Sequence, residues 1–140
     1  MERMRDGDVL VVRLADGEDF FEGLKQALKA EGVHAGVVLG AVGMLKEPAI
    51  GFYRGGGKYE TLPVKGEVEI CALAGNVAVV EGDVFLHLHV TMGTSSGAAL
   101  AGHMTGGRVH MTAEIAVHIL HKPMTRVPDS KTGLKTLTFE

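Results

Sequence analysis

The chain of 140 residues has one cysteine, no tryptophan, four prolines and no excess of positive charge. Cys71 alone excludes an internal disulfide framework. Its 14 Lys and Arg stand against 17 Asp and Glu, a formal net charge of -3, whereas binding nucleic acid by charge requires surplus cations. No apolar run reaches the roughly 18 residues of a membrane-spanning helix, and the N-terminal residues 1–8 are too polar for a secretory signal. These absences predict a single-domain cytoplasmic protein with no membrane partner.

Glycine, by contrast, is abundant, with 20 residues that follow no collagen-like triplet period. Glycine at this density indicates many tight turns and close backbone approaches, as in a β-rich fold. Short segments rich in β-branched and other apolar residues, separated by Gly, Pro, Asn and Asp, predict about seven strands. They are residues 8–14, 33–45, 49–54, 59–64, 68–80, 84–92 and 108–121, with 134–139 as a last edge strand.

One segment, 17–31, has the pattern of a helix. Phe20, Leu24 and Leu28 recur at four-residue spacing, which predicts an apolar stripe laid on a sheet. Asp16 is the expected N-cap. Segments 93–107 and 123–133 are expected to be loops. The sequence therefore predicts an α+β fold: a largely antiparallel, barrel-like sheet of about seven strands with one main helix packed on it, in one domain over residues 1–140.

Histidine is concentrated where residues 86–90 read Leu-His-Leu-His-Val. In a strand, residues i and i+2 share a face, so His87 and His89 are expected side by side, roughly 7 Å apart at their Cα atoms. His103, after Gly102, is a third candidate ligand. Three imidazoles with one open position are typical of catalytic zinc. The alternative is that these histidines only face solvent, form hydrogen bonds or lie at a subunit interface.

Other side chains are candidate partners of such a site. Glu69 and Glu114 are the available general acid or base, provided that one reaches the open position. His110, His118 and Glu114 share the polar face of one predicted strand and could orient a ligating imidazole. The competing interpretation is a half-exposed strand face or an interface. Cys71, flanked by apolar residues, is expected to be a small buried hydrophobic residue.

Taken together, the motifs resemble the plant and prokaryote conserved domain, known as PPC or PCC, over about residues 5–122. The resemblance depends on seven motifs, each weak alone and specific together. They are Leu14-Ala15-Asp16-Gly17-Glu18, Val38-Leu39-Gly40-Ala41-Val42-Gly43, Gly66-Glu67-Val68-Glu69-Ile70, Leu73-Ala74-Gly75-Asn76, His87-Leu88-His89, Ala101-Gly102-His103-Met104 and Thr112-Ala113-Glu114-Ile115.

This resemblance implies a compact α+β fold that assembles as a homotrimer. It also implies that His87, His89 and His103 hold a metal ion, with zinc as the expected metal. Acetolactate decarboxylase, of the same fold superfamily, is similar in its His-x-His…His ligand order, which implies a lyase-type reaction on a small oxygenated acid. Family members commonly carry Gly-Gly-His where this chain has Ala101-Gly102-His103, and the added methyl is tolerable unless the backbone there requires a positive φ.

Three functions follow as hypotheses. The first is a trimeric metal-dependent protein that binds a small molecule and is an enzyme if it carries the lyase-type activity. The second is a non-enzymatic DNA-binding or regulatory interaction module, since plant relatives follow AT-hook motifs. This chain has no Arg-Gly-Arg-Pro core of such a motif, so the DNA-binding label does not transfer through that element. In the third, the histidines serve only the trimer interface or its response to pH.

Overall fold

The structure, a computed structural model, describes residues 1–139. These residues form nine strands and one helix. The elements are β1 Glu2–Asp6, β2 Val9–Ala15, α1 Phe20–Ala30, β3 Gly36–Gly55, β4 Lys58–Pro63, β5 Glu67–Val80, β6 Asp83–Gly93, β7 Ala99–Ile119, β8 Thr125–Pro128 and β9 Lys135–Thr138. The predicted α+β fold with one helix on a mainly antiparallel sheet is confirmed.

Four long strands close on one another. β3 pairs with β5 and with β7, and β6 pairs with both β5 and β7, each time antiparallel. β2 extends this circuit beside β7, β1 lies outside β2, and β4 folds back on β3 as a hairpin. The register between β3 and β7 shifts at several points. Such irregularities bend long strands, which lets β7 pair with β3 along most of its length and with β6 at its beginning.

The helix covers one side of this sheet. Its side chains Phe20, Leu24 and Leu28 are fully buried and it contacts β2, β6 and β7. β2 alternates as expected for a half-buried strand, with Leu10 and Leu14 inside. Removing an apolar side chain of this size from water contributes roughly 1.5–3 kcal/mol, so the stripe predicted from four-residue spacing anchors α1.

Two features near the N-terminus, the start of the helix and the first strand, differ from the prediction. The helix begins at Phe20 rather than 17, because the Asp19 side chain accepts the Glu22 backbone N–H at 3.0 Å and acts as the N-cap. Asp16 instead accepts the backbone N–H of Met111. The strand β1 was missed because all five of its residues are exposed. A strand held only by its ladder to β2 has no hydrophobic alternation to reveal it.

The segment 93–107, predicted as a loop, is mostly strand. Only a short turn around Thr94 and Gly97 precedes β7. The first half of β7 is polar and rich in small residues, yet β3 and β6 flank it and supply backbone partners. Ladder pairing therefore outweighs the weak local β-propensity. Similarly, 33–45 and 49–54 join into the single strand β3.

The C-terminal segment forms a second small hairpin. β8 lies within 123–133, where the sequence predicted only loop, and pairs with β9, which confirms the predicted last strand. One parallel bridge, Val79 to Thr125, joins β8 to β5. The Tyr53 hydroxyl donates a hydrogen bond to the Thr132 carbonyl at 2.5 Å, so this hairpin is held against β3. Within residues 1–139 no helix has the length and apolar character needed to cross a membrane.

Candidate metal centre

β6 positions two of the predicted histidines as its alternation requires. Leu86, Leu88 and Val90 point into the core and are at most 5 % exposed. His87 and His89 therefore project from the opposite face, where the former is partly buried and the latter exposed. Their Nε2 atoms lie 3.3 Å apart. The strand placement inferred from the Leu-His-Leu-His-Val pattern is confirmed.

β7 brings the third histidine to the same place. His103 is the direct antiparallel partner of His89, so the continuous β7 strand replaces the loop that was expected to carry it. The preceding Ala101 lies in this strand without a positive φ, and its methyl group is tolerated. One nitrogen from each ring of His87, His89 and His103 lies within 4.8 Å of the others. Three imidazoles thus converge on one point.

The electrostatic surroundings keep two of these rings neutral. Burial, with smaller effects of Arg126, His103 and His89, lowers the pKa of His87 to about 4. Burial, followed by the effects of His89 and Arg126, also lowers the pKa of His103. A neutral imidazole is the form that binds a metal, so the rings have the required protonation at neutral pH.

The set of donors fits a metal. The buried His103 Nδ1 has no hydrogen-bond partner within residues 1–139, although buried polar atoms almost always have one. Tyr59 stacks on the His103 ring with centroids 4.8 Å apart, which holds its plane. Three imidazoles with room for a further ligand are the donor set of open zinc sites. The residues present therefore suit zinc.

Sequence reasoning missed the polar neighbours of His87. The Nη2 group of Arg126, on β8, lies 3.0 Å from His87 Nδ1 and donates to Asn76 Oδ1, also at 3.0 Å. Nothing in the spacing of segment 123–133 pointed to Arg126. Asn76 did carry a signal, because asparagine is depleted inside strands and here interrupts the apolar run of β5.

A cavity of about 460 Å³ opens beside the histidines. The C-terminal hairpin forms one wall, and β4, β6 and β7 supply much of the remainder. Its lining residues are Gly57, Tyr59, Phe85, His87, His103, Arg126, Gly133, Leu134, Lys135, Thr136 and Leu137. The site can therefore receive a molecule of metabolite size next to the imidazoles.

The predicted acid–base residues lie elsewhere. Glu69 pairs with Gly93 on β6, five residues along β5 from the partner of His89, or roughly 16 Å at strand rise. Glu114 pairs with Arg13 and Val42 and lines a different cavity. Their catalytic role stays a prediction from the sequence, and neither carboxylate lies beside the imidazoles.

The other candidates are also placed away from the three rings. His110 lies 3.5 Å from carboxylate oxygens of Asp16 and Glu67, and His118 pairs with Val9 and Val37. Cys71 is exposed, contrary to the expectation that it is buried. Cys71 lies within the register shift between Ile70 and Ala72, where it has no partner on β6, and such an extra residue breaks the alternation of faces along the strand.

The closed antiparallel sheet with a three-histidine cluster on adjacent strands defines the class of protein. The model of the Plants and Prokaryotes Conserved (PCC) domain matches residues 1–121. The chain belongs to this family, as the motifs indicated. Residues 122–140, which include β8, β9 and Arg126, lie beyond the match.

Known proteins are similar to most of the chain. A bifunctional protein GlmU of Synechococcus sp. (strain JA-3-3Ab) is 31% identical over 134 residues, or 94% of this chain, which spans only 20% of that relative. A metal-containing protein of Archaeoglobus fulgidus is 26% identical, with a TM-score of 0.85 and 94% of each chain covered. A Bacteroides thetaiotaomicron protein to which DNA binding has been ascribed has a TM-score of 0.92 at 24% identity, over 99% of this chain and 96% of that one. The last likeness shows the fold alone.

Proposed function

We propose that this chain is a homotrimeric metal-binding protein in which His87, His89 and His103 hold zinc and an adjacent cavity receives a small molecule. The observation that carries the proposal is the convergence of three ring nitrogens within 4.8 Å. The unpartnered His103 Nδ1 supports it, as does the metal-containing A. fulgidus protein with the same fold. Zinc, when bound, acts as a Lewis acid and lowers the pKa of a coordinated water.

The residues of this chain have separate tasks around the ion. The pairing of β6 with β7 sets the separation of His89 and His103, and Tyr59 fixes the plane of the His103 ring. Among residues 1–139 the cavity lining contains no carboxylate that could take or give a proton. The lyase-type reaction implied by the resemblance to acetolactate decarboxylase therefore finds neither Glu69 nor Glu114 in the cavity, and we propose ligand binding as the function.

Elemental analysis of untagged protein tests the metal. We expect about one zinc per chain, and none in the double variant His87→Ala/His89→Ala. The matched control His34→Ala/His121→Ala also removes two histidines, both exposed and outside the cluster, and should keep the full zinc content. Equal zinc in both double variants, or none in any sample after zinc is added back, would contradict the proposal.

An exposed apolar face supports the homotrimer. Val11 of β2 and Val37, Leu39 and Val42 of β3 are 36–59 % exposed, although β2 and β3 are both neighbours of β7 in one sheet. Monomeric proteins seldom leave a contiguous patch of this kind uncovered. A second and third copy of the chain would bury it, because a closed ring of three repeats one heterologous contact, in which this face lies against a different surface of the next copy.

Substitution on this face tests the assembly. Leu39→Lys should convert the trimer into monomers, measured by light scattering after size-exclusion chromatography. Phe52→Lys is the matched control, because Leu39 and Phe52 are each 59 % exposed on the same strand. A wild-type chain that is monomeric at micromolar concentration contradicts the trimer.

DNA binding is the alternative function. It is ascribed to the B. thetaiotaomicron protein, whose likeness to this chain shows the fold alone. The net charge of -3 gives it no electrostatic support. Several cations are paired with acids, as Arg13 with Glu2 and Lys29 with Asp83. Retention on a DNA column at low salt, lost on adding salt, would favour this alternative, and free passage would count against it.

A further inference from the structure

The cavity beside the histidines carries positive charge without a counter-ion. Arg126 and Lys135 line it, and among residues 1–139 the lining contains no Asp or Glu. The hydrogen bonds of Arg126 go to neutral acceptors, namely the Lys135 carbonyl, Asn76 Oδ1 and His87 Nδ1. By contrast, Arg13 and Arg54 are paired with the carboxylates of Glu2 and Glu60.

Arg126 is held in place although its charge is not balanced. Its guanidinium carbon lies 5.6 Å from the centroid of the Phe85 ring, and its buried Nε has no hydrogen-bond partner within the described residues. A partly buried cation without an opposite charge is costly. An anion bound in the cavity would supply the missing opposite charge.

The contact of Arg126 with His87 bears on metal loading. Because a guanidinium only donates hydrogen bonds, His87 Nδ1 is the acceptor and the proton of the neutral ring lies on Nε2. Nε2 is the nitrogen that faces His89, at 3.3 Å. A metal held through Nε2 needs its lone pair there, which places the proton on Nδ1. Nδ1 of His87 and Nη2 of Arg126 are then both hydrogen-bond donors and cannot bond to each other. Arg126 therefore requires a different acceptor.

We propose that the cavity binds a small organic oxyanion, a carboxylate or a phosphate monoester with an apolar body, and that Arg126 is its anchor. This inference rests on the proposed metal site. The fork of N–H groups on arginine matches an oxyanion, and Phe85, Leu134 and Leu137 offer apolar contact for the rest of the molecule. The oxyanion replaces His87 Nδ1 as the acceptor for Arg126, so metal and anion each strengthen the binding of the other. Such coupling is reciprocal by thermodynamic necessity.

Calorimetric titration of zinc-loaded and zinc-free protein tests the proposal. The probes are isobutyrate and isobutyl phosphate, with isobutyramide as a neutral molecule of the same shape as the carboxylate. We expect one or both anions to bind the zinc-loaded wild type, and isobutyramide to bind at least about tenfold more weakly, since hydrogen bonds to charged groups are the stronger ones. The two anions distinguish carboxylate from phosphate. We also expect the anion to lower the zinc dissociation constant.

Variants assign the effect to Arg126. Arg126→Gln should weaken anion binding at least about tenfold, while Arg126→Lys, which keeps the charge and loses the fork, should be intermediate. Arg54→Gln removes the same charge from an exposed ion pair and should bind as wild type does. Circular dichroism establishes that each variant is folded, and the comparison of isobutyrate with isobutyramide on the wild type needs no variant.

The outcomes separate this inference from the proposed function. Zinc binding with equal affinity for isobutyrate and isobutyramide, or equal anion affinity in the loaded wild type and Arg126→Gln, overturns the oxyanion site and leaves the metal site standing. If no zinc binds, yet the wild type takes up an anion that Arg126→Gln does not, the metal proposal and its coupling to the anion fail, and only anion binding by Arg126 stands.

Discussion

The close approach of β5 to β6 beneath the histidines makes Gly75 a sensitive position. A Cβ placed there would lie 2.0 Å from the carbonyl oxygen of His87 and 3.0 Å from the Leu88 Cα. Both are backbone atoms, so no side chain can rotate away. To lengthen the 2.0 Å approach to even 3.0 Å, β6 has to move by about 1 Å. The substitution Gly75→Ala therefore displaces the strand that carries His87 and His89.

The expected cost has two parts. Overpacking of this kind costs about 1–3 kcal/mol, and each lengthened ladder hydrogen bond costs roughly 1 kcal/mol more. A loss near 3 kcal/mol corresponds to a fall of roughly 10 °C in Tm for a chain of this size. Because metal ligands have to be placed within about 0.5 Å, we also expect zinc affinity to fall at least about tenfold.

Thermal unfolding by circular dichroism and zinc titration by calorimetry measure the two effects. Gly106→Ala is the matched control, since Gly106 lies in β7 without a positive φ and its added Cβ would meet no atom within 4 Å, and it should change stability by no more than about 0.5 kcal/mol. If Gly75→Ala loses less than about 1 kcal/mol and binds zinc as wild type does, the reasoning from this close approach is refuted.

Two further predictions concern His87 and the β8–β9 hairpin. In the metal-free protein the His87 pKa of about 4 lies below the ordinary 6.5, so the unfolded chain takes up a proton that the folded chain does not. The free energy of unfolding should therefore fall as the pH is lowered from 6.5 to 4, by less than about 1.4 kcal/mol per pH unit for this partly exposed group. Urea unfolding across this pH range should show a smaller fall in the free energy of unfolding for His87→Asn than for the wild type. An equal fall in the two proteins would contradict this prediction. Tyr53→Phe removes the hydrogen bond to the Thr132 carbonyl and should cost about 1 kcal/mol while speeding proteolysis of the β8–β9 hairpin. Tyr59→Phe is the control, and identical cleavage rates in wild type and Tyr53→Phe would show that this bond does not hold the hairpin.

The pattern of apolar residues was sufficient for much of the fold. The four-residue spacing of Phe20, Leu24 and Leu28 predicted the helix, because a helix in a small domain has to bury one face. Alternation in 84–92 predicted the orientation of His87 and His89, because successive side chains of a strand point to opposite faces. The pairing of His103 with them came from its place in the Ala101-Gly102-His103-Met104 motif, and the converging rings agree with it.

Local sequence failed where long-range pairing decides the structure. β1 and the first half of β7 lack apolar alternation and exist because neighbouring strands satisfy their backbone groups. The wrong N-cap arose because Asp16 and Asp19 are equivalent as residue types, and only the helix geometry selects between them.

The composition of the core, the main helix, most strands and the three candidate metal ligands could be predicted from the sequence, since they depend on residue type and on the periods of helix and strand. The surroundings of the ligands were set by the tertiary structure. It moved Arg126 of the C-terminal hairpin onto His87, 39 residues away in sequence, and left Glu69 and Glu114 on other parts of the sheet. Contacts between residues so far apart depend on how the long strands bend and close, which no local pattern encodes.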